Sequence, residues 1–128
     1  MTKLKLDLSH AEWEIMEAVW EAGGAVTVRQ VLDAAYPNAE KAYTTVQTFM
    51  NILVEKGILK RTKSGSVNHY SAAITRDKIR KRAVSTVARH MFAGSFGAMA
   101  SYLVNSNALT LEEIAELKEL LNDKKGRS

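Results

Sequence analysis

The sequence predicts a mainly α fold with a small β component: three short helices, a two-stranded hairpin, then a longer helical arm. Three observations carry this. Ser9…Glu12, Thr27…Gln30 and Thr110…Glu113 each have the spacing of a capping box, where side chain and backbone satisfy each other's orphan donors at a helix start. Apolar residues follow each box at helical spacing. Between residues 58 and 72 that period gives way to two short β-prone runs around Ser64-Gly65-Ser66.

The first helix runs from Ser9 to about Ala22 with Trp13, Met16, Val19 and Trp20 inward, and Gly23-Gly24 ends it. Thr27 opens a short second helix with Val28, Val31, Leu32 and Ala35 on one face, broken by Tyr36-Pro37-Asn38. The third spans Tyr43–Lys56. Its apolar face is Val46, Phe49, Met50 and Leu53, and Gly57 stops it. Its other face carries Tyr43, Thr44, Thr45, Gln47 and Thr48, hydrogen-bonding groups without charge. Three threonines are poor choices for a merely solvated helix. A polar, uncharged helix beside cations suits a groove lined by base edges and flanked by phosphates.

Three helices joined by tight turns, the third polar outside, make a helix-turn-helix. The runs Ile58–Lys63 and Val67–Ala72 follow it directly, so the hairpin reads as a wing, made basic by Lys60, Arg61 and Lys63. Residues 1–74 are therefore expected to form a winged-helix DNA-binding domain, and residues 75–128 a helical dimerisation domain. Thr75 caps a helix carrying Arg76, Lys78, Arg80, Lys81 and Arg82 on its first two turns. Phe92, Phe96, Met99 and Leu103 then read as one helical stripe, and Ile114, Leu117 and Leu121 as another behind Thr110. The arm is too small to bury these stripes alone, which predicts pairing with a second copy.

Charge points the same way. Residues 1–40 hold three Lys/Arg and seven Asp/Glu, residues 41–90 eleven and two, and residues 91–128 four and five. The basic excess thus lies around the third helix, as expected of a polyanion binder. An apolar content of 46% excludes wholesale disorder. No cysteine is present, which removes disulfides, thiolate metal sites and cysteine nucleophiles and fits a cytoplasmic protein. No run of about 18 apolar residues exists to insert in a membrane, and Met1–Asp7 has no signal-peptide apolar segment. His10, His69 and His90 stand far apart without ligands at helical spacing, and no triad or phosphate loop appears. No catalytic residue, metal or cofactor is expected.

Leu8-Ser-His-Ala-Glu-Trp-Glu-Ile-Met16, Ala42-Tyr-Thr-Thr-Val-Gln-Thr48, Glu55-Lys-Gly57 and Leu109-Thr-Leu-Glu-Glu-Ile114 together resemble the penicillinase-repressor family of winged-helix regulators. The resemblance covers nearly the whole chain. It implies a homodimeric repressor on a dyad-symmetric operator, controlling antibiotic-resistance or stress genes. In several members a membrane sensor protease system triggers cleavage of an Asn-Phe bond in the arm. Ser101-Tyr102 occupies that position here, and Ile52 stands where members often carry a basic residue. The copper-responsive members' cysteine motif is absent.

On this reading Tyr43, Thr44, Thr45, Gln47 and Thr48 touch bases and nearby phosphates, with Gln47 the bidentate candidate for adenine. Lys41, Lys60, Arg61 and Lys63 neutralise phosphates. The rival reading is a winged-helix protein-interaction module whose apolar arm docks a different partner.

Overall fold

The computed structural model describes residues 7–127; the expectation for the first six residues lies outside them. The chain forms α1 (His10–Ala22), α2 (Val28–Ala35), α3 (Tyr43–Glu55), β1 (Leu59–Ser64), β2 (Val67–Ala72), α4 (Arg76–Met91), α5 (Phe96–Asn105) and α6 (Leu111–Arg127). Two compact units result, one ending at Ala83 and one beginning at Val84, so α4 starts in the first and ends in the second.

All three capping boxes form. Ser9 accepts from the Glu12 amide while Glu12 accepts from the Ser9 amide, and Thr27 and Gln30 do the same. Thr110 and Glu113 repeat the pattern at 2.8 and 3.0 Å. Gly23 closes α1 in the left-handed conformation, at φ 74°, which only glycine adopts without strain.

The core of the first unit is one cluster. Ile15, Met16 and Val19 of α1 meet Val28, Val31 and Leu32 of α2 and Val46, Met50 and Leu53 of α3, with Ile58, Leu59 and Tyr70 closing the wing side. Trp13 and Trp20 are partly buried against it, edge-to-face at 6.1 Å. Each fully buried side chain of this size contributes about 1.5–3 kcal/mol. The wing is an antiparallel pair from Leu59↔Ala72 to Ser64↔Val67. Tyr70 also bridges to Val26, with amide bonds of 2.8 and 2.7 Å, which fastens the wing root to the segment before α2. Ile79, on α4, is fully buried in this cluster and Trp20 Nε1 donates to the Ile74 carbonyl at 3.0 Å, so the start of α4 belongs with the first unit.

In the second unit the expected continuous stripe is corrected. α4 ends at Met91, Ala93 and Gly94 are left-handed at φ 49° and 82°, and Ser95 caps a new helix through the Ala98 amide. Two successive left-handed residues cannot continue an α-helix. Phe92 therefore sits in the turn, its ring 5.7 Å from that of Tyr102, while Phe96, Met99 and Leu103 share a face of α5. Phe96, Leu103, Leu117 and Leu121 are exposed, at 55%, 41%, 41% and 68%, and Phe92, Met99 and Ile114 are half-buried. Among the described residues no helix is long and apolar enough to cross a membrane.

Candidate nucleic-acid interface

Burial of Val46, Met50 and Leu53, none of them exposed at all, decides which face α3 turns outward. Thr44, Thr45 and Thr48 are exposed, Tyr43 is 39% exposed, and Gln47 is half-buried. The Thr48 hydroxyl donates to the Thr44 carbonyl at 2.9 Å, which leaves its lone pairs free to accept from outside. Ala42, the residue before the helix, supplies no side-chain cap, so the positive end of α3 is open at the same surface.

Lys56, at the other end of α3, anchors the helix. Its ammonium lies 2.7 Å from Glu12 Oε2 and 2.8 Å from Oε1, and it also donates to the Asp7 carbonyl. The Glu12 side chain is 5% exposed and that of Lys56 20%. Burial alone would push the Glu12 carboxyl up, but hydrogen bonds from Lys56 and from Ser9 outweigh it and hold the group below its ordinary value. On α2's side, Tyr36 is buried and its hydroxyl donates to Glu14 Oε1 at 3.0 Å. Burial first, then Glu14 itself, push this phenol up to about 12. Lys41 rests over the Tyr36 ring at 5.3 Å, which orients one of the expected phosphate-binding cations.

Strand alternation divides the wing cations. Arg61 pairs with Tyr70 and Lys63 with Asn68, so these four side chains share one face, whereas Lys60 pairs with Ser71 on the other. The Arg61–Lys63 face is the one turned to α3. Arg61 Nη1 and the Tyr70 hydroxyl each donate to Asn51 Oδ1 at 2.8 Å. Arg61 thus carries an exposed charge and a fixed tie to α3, while Lys60 stands apart from it.

Three groups missed in the sequence belong to this surface. Asn51 accepts the two wing donors, Asn68 lies beside Lys63, and Arg29 on the first turn of α2 lies 5.3 Å from the centre of the Tyr43 ring. A lone cation in an otherwise acidic segment, at the head of the helix before the recognition helix, was the readable signal for Arg29, since that helix crosses the DNA backbone in such motifs. Between α2, α3 and the wing lies an open groove of about 270 Å³, into which Arg29, Tyr43, Gln47 and Asn68 project.

The family model described as penicillinase repressor matches residues 8–123. The penicillinase repressor of Staphylococcus aureus is 27% identical over 123 residues, covering 96% of this chain and 97% of that protein. The penicillinase repressor of Bacillus licheniformis is 28% identical over 121 residues, covering 94% and 93%. Among solved structures, the DNA binding domain of the repressor BlaI aligns at a TM-score of 0.51 and 28% identity, over 59% of this chain and 90% of that one.

Proposed function

The chain belongs to the penicillinase repressor family, and on that premise we propose that it represses transcription by binding a dyad-symmetric DNA operator as a homodimer. The observation that carries the DNA reading is the largely exposed, uncharged hydrogen-bonding face of α3, with Lys41 just ahead of its first turn and Arg61, on the Lys63 face of the wing, tied to it through Asn51. Tyr43, Thr44, Thr45, Gln47 and Thr48 enter the major groove and read base edges, and the cations sit on phosphates. Lys60, on the far face of the wing, contributes general positive potential rather than a paired contact with α3.

The dimer reading is supported by the second unit, where Phe96, Leu103, Leu117 and Leu121 stay in water in a single chain. A second copy covers such a surface and holds two α3 helices about 34 Å apart, one helical turn of DNA. The genes under control are antibiotic-resistance or stress genes, as the family implies. Release by a membrane sensor protease would act at Ser101-Tyr102. Both residues are exposed but lie inside α5, so that helix must open locally before a protease can extend the bond.

The test is a mobility shift with fragments of the source genome at several salt concentrations. Selective retardation of a few fragments is expected. Retention of none, even at low salt, supports the interaction-module reading instead.

A further inference from the structure

We infer that Arg29 is a dedicated phosphate clamp, held ready by Tyr43 in the groove between the head of α2 and the wing, so that one operator phosphate is gripped by both parts of the domain. The inference rests on the DNA-binding reading and adds a residue and a ligand atom to it. Arg29 is exposed and has no acidic partner among the described residues, yet it is not loose, because its guanidinium lies 5.3 Å from the Tyr43 ring centre. A guanidinium stacked on an aromatic ring keeps its in-plane N–H groups for a second partner, and its planar fork matches two oxygens of a phosphate. Holding that geometry beforehand reduces the ordering cost of binding.

The groove decides between a phosphate and a base edge. Its other polar side chains, Thr27, Gln47, Ser66, Asn68 and the two tyrosines Tyr43 and Tyr70, are uncharged, and Arg29 is the single cation among the groups lining it. A group at the head of α2 lies over the sugar–phosphate rim rather than in the groove floor, because the helix before the recognition helix crosses the backbone. Ser66 and Asn68 belong to the wing turn and β2, so a phosphate held by Arg29 also comes within reach of donors from the wing.

The experiment uses the full chain and duplexes recovered by the mobility shift, with a random duplex of the same length beside them. Arg29→Ala should weaken binding to both by about the same factor, roughly tenfold to a hundredfold. It should also lower the salt slope by about two, one contact being lost from each protomer of the dimer. Arg29→Lys should restore the slope but not the full affinity, because the charge returns without the planar fork. Tyr43→Leu should shrink the effect of Arg29→Ala, since the two act as a pair, whereas Tyr43→Phe should leave it unchanged. An Arg29→Ala protein with full affinity and an unchanged slope overturns the inference, as does a loss confined to one base-pair position. Gln47→Ala, run in parallel, separates the two levels. If it weakens only the selected duplexes, base reading by α3 stands whatever Arg29 does; if neither variant affects binding, both the clamp and the assignment of Gln47 as a base reader fail, while DNA binding itself is decided by the mobility shift.

Discussion

Glu12 joins two roles that are usually separate, and replacing it with Gln tests how α3 is held. In the native chain its carboxylate accepts the Ser9 amide at 2.8 Å and two bonds from Lys56, at 2.7 and 2.8 Å. Gln keeps an oxygen for Ser9 and removes only the charge, leaving Lys56 without its counter-ion. Breaking a buried pair from one side costs about 3–5 kcal/mol. The Lys56 side chain is 20% exposed, so water recovers part of its charge, and about 2–3 kcal/mol is the expected loss. Urea unfolding at neutral pH reads this directly, and the matching fall in Tm is roughly 10–20 °C. Glu12→Gln combined with Lys56→Met should recover stability relative to the sum of the two single losses, because the double variant buries no unpaired charge. A single-variant loss below about 0.5 kcal/mol, or strict additivity, would refute the anchor. The pH dependence has a fixed sign. Because the folded carboxyl lies below its ordinary 4.5, the unfolded chain takes up the proton first as pH falls. Its stabilisation is complete above about pH 5 and lost progressively below that, a slope that Glu12→Gln should reduce.

Four further outcomes follow. Lys63→Ala should weaken operator and random duplex alike and lower the salt slope by about two, one contact per protomer, measured by anisotropy titration, and Lys60→Ala should do so less because it faces away from α3. Gln47→Ala should cost about 1–3 kcal/mol at one base-pair position of each half-site, read from a panel of substituted duplexes. Met50→Ala, in the core, should cost about 2–5 kcal/mol in unfolding while leaving base preference as it was. Truncation after Ser101 should abolish tight operator binding, whereas residues 1–83 should fold as a monomer with weak half-site affinity, both followed by light scattering beside titrations.

Most of the first unit was legible because its signals are local. A capping box spans four residues and a helix stop one, so Ser9, Thr27 and Gly23, like Thr110 in the second unit, could be read from neighbours in the chain. The outward face of α3 was equally readable, since Val46, Met50 and Leu53 fix the inward one. What failed depended on distance or on backbone. Glu12 was visible as a cap, but its pairing with Lys56, 44 residues away, was not. The stripe through Phe92 broke because Ala93 adopts a left-handed φ beside Gly94, which no side-chain spacing announces. The separation of Lys60 from Arg61 and Lys63 follows from strand alternation and could have been read. The meeting of Arg29 with Tyr43 required the packing of α2 on α3.

Selecting duplexes from a random library with the full-length chain tests the central claim most directly. The account expects enrichment of an inverted repeat whose half-sites lie on one face of the DNA, about one helical turn or a multiple apart, with the enrichment lost in the Gln47→Ala variant. Recovery of sequences without two-fold symmetry, or no enrichment at low salt, would contradict it.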